Sequence, residues 1–189
     1  MKILDFKKFN ETIKFSDYPN IKIGSNFNII DEKDNYDYNC IAYTLGSKNH
    51  TIYPIISHQW IWPFPISNNV LDNIELSNFY KFYSLFGYKP CRNGLYEPDY
   101  DKVALYTHNA TYFEHAAIQK DNKWWISKMG ENELFEHTLD ALFNNNISRK
   151  VFFLEDQKML ISIINQLLNL FINLILIYND YNHLTYLLV

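Results

Sequence analysis

Glycine and proline are scarce in this chain, with 5 and 6 among 189 residues, about half the usual share. That excludes collagen-like and Gly/Pro-rich low-complexity architectures. Cysteine is scarcer still. Cys40 and Cys91 are the only two, too few for a disulfide scaffold. No short Cys/His spacing of the zinc type accompanies them, so no metal and no cofactor is expected. Basic clusters are also missing. The net charge is −4 and the largest local basic run is Lys7-Lys8, so there is no electrostatic case for nucleic acid, which needs clustered Lys and Arg against phosphate. Residues 1–10 hold no apolar core of the signal-peptide kind, and a cytoplasmic, reduced protein is expected.

What the chain does have is aromatic surface: 4 Trp, 15 Tyr and 14 Phe within a 48% apolar composition, which excludes intrinsic disorder. The 23 asparagines carry AT-rich codons and are not read as chemistry. Charge is unevenly spread. From Met159 to Val189 the only formal charge is Asp180, and all 17 Lys and Arg lie before that stretch. The chain therefore divides into an arm (1–35), a charged body (36–158) and an apolar tail (159–189).

Within the body, Asn39 or Asp37 is placed to cap a short helix from Cys40 to Leu45, closed by Gly46. Residues 47–69, with Pro54, Pro63, Pro65 and the aromatic patch Trp60 to Phe64, read as a long loop. Ser77 is a plausible cap for a second helix whose Phe79, Phe82, Tyr83 and Phe86 recur at helical spacing before Gly87. Residues 102–107, 114–119 and 124–128 then read as strands, the last two forming an antiparallel hairpin across the turn 120–123. A helix is expected over Glu131 to Phe143, and a last strand over 151–154. Helices first and an antiparallel sheet after argue for an α+β fold.

Three features point to chemistry: Cys40 at a helix start, His115 on a strand, and Ser127 and Lys128 on the facing strand. A helix N-terminus and a nearby imidazole favour the thiolate, the reactive form of cysteine. The imidazole then accepts and returns the proton, and a third polar group orients it. Each residue also has a plain alternative: Cys40 as a small buried hydrophobe, and His115 as a core histidine with its hydrogen bonds satisfied. Cys91, in a loop beside Pro90, is the second candidate nucleophile. A metal cluster of His50, His58, His108 and His115 lacks any supporting spacing.

Several segments occur together in order: Asn39-Cys40-Ile41-Ala42-Tyr43-Thr44-Leu45-Gly46, Trp60-Ile61-Trp62-Pro63, and Phe86-Gly87-Tyr88-Lys89-Pro90-Cys91. They continue with Asp101 to Tyr106, His115-Ala116-Ala117 and Trp125 to Glu131, ending near His137. Over residues 36–143 this order resembles a family of uncharacterised bacterial domains that are similar to papain-like, NlpC-type cysteine hydrolases. The resemblance implies a papain-like fold, N-terminal helices on a small antiparallel sheet. It also implies Cys40 as nucleophile, His115 as base and Ser127 or Lys128 near the third position, with Asn132 and His137 as alternatives. The expected activity is a cysteine hydrolase or acyl transferase on an amide or thioester, with backbone N–H groups at the Cys40 helix start holding the oxyanion. The competing expectation is a non-catalytic interaction module that binds through the aromatic loop and the tail.

In the tail, Ser162, Asn165, Gln166, Asn169 and Asn173 form one narrow stripe at helical spacing, with Leu and Ile elsewhere. An apolar C-terminal helix is expected, buried against the body or a partner, with self-association as one outcome. Membrane association is the alternative, since the span is long enough to cross a bilayer.

Overall fold

The structure is a computed structural model, and it describes residues 18–31, 37–54, 60–129, 133–143, 151–157 and Leu170. Among the described residues nine strands form in chain order: β1 (Phe27–Asp31), β2 (Thr51–Ile52), β3 (Trp60–Ile61), β4 (Lys89–Cys91), β5 (Tyr100–His108), β6 (Tyr112–Gln119), β7 (Trp125–Lys128), β8 (Leu134–His137) and β9 (Val151–Gln157). Seven of them make one antiparallel sheet in the order β1-β8-β7-β6-β5-β9-β4, while β2 and β3 pair in parallel as a separate ribbon. Three helices lie wholly among the described residues, and they are short: α1 (Cys40–Thr44), α2 (Val70–Asn73) and α3 (Leu76–Ser84).

Strand alternation sorts the core into two layers. Val103 and Leu105 of β5, Phe113 and Ala116 of β6 and Leu154 of β9 face the helices, where Ile41, Phe79 and Tyr83 pack on them. Ala104 and Tyr106 point the other way, with Ala117, Trp125, Phe135 and Phe27, under a 3-10 turn at Leu139–Leu142. The centre of the sheet is thus buried on both faces.

Local signals account for the first helix. Asn39 caps α1, its Oδ1 accepting from the Ala42 N–H at 3.1 Å, and its Nδ2 donates to the Ile52 carbonyl at 2.8 Å, tying the cap to β2. Gly46 ends the helix with a positive φ of 74°, a conformation that costs glycine little. α3 starts at Leu76 rather than behind a Ser77 cap, and its N-cap position, Glu75, makes no side-chain capping bond. Its start is set by the sheet instead: the Leu76 N–H donates to the Thr111 carbonyl at 2.8 Å.

The structure corrects the expected papain-like α+β fold. The molecule is mainly a seven-stranded antiparallel sheet, and the helices of five, four and nine residues do not form an N-terminal helical layer. Two local expectations fail with it. Residues 134–137 are strand β8 and not helix, because β1 and β7 pair with them on either side; tertiary pairing outweighs local propensity here. The 47–69 stretch contains β2 and β3. The arm is joined to the body where it is described, since β1 forms an edge of the main sheet. Apart from Leu170, the tail expected to be helical lies outside the described residues.

Candidate functional site

Cys40 opens α1, and α1 packs on β6 so that the sulfur lies beside the Ala116 N–H. The surroundings oppose each other. Burial raises the thiol, while the N–H groups of Ala116, Ile41 and Cys40 and the charge of Lys128 lower it. Burial prevails, and the thiol is pushed up to about 11, so at neutral pH it is a thiol and not a thiolate. Cys40 is 7% exposed.

Lys128 shares this face. Its ammonium sits 4.8 Å from the centre of the Tyr38 ring, and Tyr38 belongs to the same cluster as Cys40. The Tyr53 phenol is raised by burial and then by the nearby Cys40 and Glu114. Glu114, itself raised by burial, lies 3.5 Å from His108 Nδ1.

His115 and Ser127 are on the other face. His115 pairs across the ladder with Tyr106, 5.9 Å between ring centres, and lies nearly parallel to Phe135 at 6.5 Å. The neighbour of Ser127 is His137: Ser127 Oγ and His137 Nε2 are 2.9 Å apart, and His137 Nδ1 lies 2.9 Å from the Thr138 carbonyl. A carbonyl only accepts, so the proton is on Nδ1 and Nε2 accepts from the Ser127 hydroxyl. Both imidazoles are neutral. Burial, with the neighbouring His137, takes His115 down to about 3, and burial takes His137 down to about 4. Among the described residues, the buried His115 Nε2 has no hydrogen-bond partner.

The four candidate residues thus fall into two pairs on opposite faces: Cys40 with Lys128, and His115 with Ser127. A β-bulge is the physical reason. Counting residue by residue from the β5–β6 turn, where His108 pairs with Tyr112 and Thr107 with Phe113, would put His115 opposite Leu105 on the Cys40 face. Glu114 is instead the extra residue at a register shift, and His115 pairs with Tyr106. One inserted residue exchanges the faces of all that follow.

The remaining candidates are no more reactive. Cys91 lies on edge strand β4, its sulfur 3.4 Å from the Asn93 carbonyl, and burial followed by Glu155 pushes it up to about 11. Asn132 and His58 lie outside the described residues. Among the described residues, no group of three His, Cys, Asp or Glu side chains could hold a metal, and no helix is long and apolar enough to cross a membrane. Trp62 of the aromatic patch is part of the core: it is buried, 4.9 Å from Phe82 and 5.3 Å from Phe79 between ring centres. The large apolar groups that do face water were not singled out in the sequence. Leu95 is 69% and Tyr96 40% exposed, and Val70, Leu71 and Leu85 also face water.

The fold and the site define a two-faced antiparallel-sheet domain with a buried thiol under its helices and a closed imidazole cluster behind. Residues 29–149 match the family described as "Domain of unknown function (DUF7689)", and the chain belongs to that family. No curated protein and no solved structure matches the chain, and nothing in these comparisons links it to NlpC-type hydrolases.

Proposed function

We propose that this domain is a non-catalytic interaction module, with Cys40, His115, Ser127 and Lys128 as core residues and the loop bearing Leu95 and Tyr96 as its contact surface. The observation that carries the reading is the separation of the Cys40 thiol from the His115 imidazole by the sheet. A cysteine hydrolase needs the base within hydrogen-bond reach of the sulfur, and here His115 is turned toward Tyr106 and Phe135. The raised thiol agrees with a packing role. Two large apolar groups held in water supply a surface of the kind that protein partners bury.

The test is trapping with an electrophilic thioester or amide probe on the native full chain, followed by peptide mapping. Cys40 is expected to stay unlabelled at neutral pH, in the native chain and in His115→Ala alike. An adduct on Cys40 that disappears in His115→Ala would favour the cysteine hydrolase instead.

A further inference from the structure

An asparagine side chain can be attacked by the backbone nitrogen of the next residue, and glycine permits this best because no Cβ screens its nitrogen. Only one glycine of this chain follows an asparagine, at Asn93-Gly94. The pair lies in the loop between β4 and β5, and Asn93 is exposed, so water reaches its amide. The Leu95 N–H donates to Asn93 Oδ1 at 3.0 Å. That bond closes a turn that contains the Gly94 nitrogen. It also aims a donor at the oxygen on which negative charge develops when Cγ is attacked.

Asn69 provides a comparison within the same molecule. It too is exposed, and its Oδ1 accepts from the Leu71 N–H at 3.2 Å, the same two-residue spacing. The intervening residue is Val70, whose branched side chain shields the nitrogen that would attack. Asn69 thus has the donor without the open nucleophile, and Asn93 has both.

We propose that Asn93 is a self-modifying site, converted to aspartate and isoaspartate by ring closure onto Gly94. Solvent hydroxide takes the Gly94 N–H proton, and the nitrogen bonds to Cγ. The Cγ–Nδ2 bond then breaks, releasing ammonia with a proton from water. Water opens the cyclic imide at either carbonyl and leaves a carboxylate, with no oxidation or reduction. Opening on one side restores the main chain as aspartate, and opening on the other routes it through Cβ as isoaspartate. The isoaspartyl route lengthens the main chain by one carbon directly before Gly94, where there is no room. An added Cβ on Gly94 would already come within 2.5 Å of Phe153, and the Gly94 carbonyl accepts from Gln119 Nε2 at 2.7 Å. The modification therefore resets the loop that displays Leu95 and Tyr96, and it stands whether or not that loop is a contact surface.

The test is incubation of the native full chain at mildly alkaline pH, followed by peptide mapping with fragmentation that separates aspartate from isoaspartate. Both products are expected at position 93, while Asn69 stays an amide. Leu95→Pro removes the donor and should slow the conversion by about tenfold, less than a buried oxyanion donor gives because water competes here. Should proline disturb the loop, Gly94→Ala made together with Phe153→Leu, which clears space for the Cβ, serves instead and should suppress both products. The modified fraction, separated by charge, should exchange amides faster over 92–99 with β5 and β6 unchanged. Aspartate without isoaspartate, conversion of Asn69 as fast as that of Asn93, or conversion seen only in the urea-unfolded chain overturns the proposal.

Discussion

Asn39 shows how much a single side chain supports. It caps α1 through Ala42 and bridges to Ile52 from a buried position. Asn39→Ala removes a cap and leaves the Ile52 carbonyl without that donor, an expected loss of about 2–3 kcal/mol in denaturant unfolding. Gly94 is required for a different reason. The φ there is ordinary, but the Phe153 ring occupies the space a Cβ would take. Gly94→Ala is expected to cost about 1–3 kcal/mol, and Phe153→Leu in the same chain should recover part of that. A Gly94→Ala loss that is the same in the native and the Phe153→Leu backgrounds would contradict the contact.

Among the elements, β6, β7 and β8 carry the chemistry the sequence suggested and rearrange it. Their two buried imidazoles tie stability to pH. Both are lowered in the folded state, toward about 3 for His115 and about 4 for His137, from an ordinary value near 6.5. Between those limits the unfolded chain binds protons that the folded chain refuses. Their contribution is therefore complete above pH 6.5 and is lost as the pH falls toward the folded values. The two together should cost about 4 kcal/mol between pH 7 and pH 5. His115→Gln should remove about half of that difference in urea titrations at the two pH values; an unchanged pH dependence would contradict the burial. The strands themselves were legible in sequence, because β5, β6 and β7 alternate or form compact apolar runs around clear turns. β8 was not. Its Leu134 and Phe135, followed by Leu139 and Leu142, imitate a helical face, and only pairing to β1 and β7 reveals the strand. The bulge at Glu114 left no mark in the residue pattern, yet it decides which way His115 points.

At the scale of the molecule, the Asn39 cap, the Gly46 stop and the β6–β7 hairpin were readable because each is specified by neighbours in sequence. The arrangement of the candidate site was not, because it depends on which face of a seven-stranded sheet each side chain meets. Trp62 makes the same point: its loop context suggested surface, and contacts with Phe79 and Phe82 bury it. The central claim is that the sheet stands between thiol and imidazole. The pH dependence of Cys40 alkylation in the native full chain, compared with His115→Ala, tests this most directly. The account predicts slow alkylation that rises only as the pH approaches about 11, identical in the two proteins. A rate that levels off below neutral pH, and loses that behaviour in His115→Ala, would contradict it.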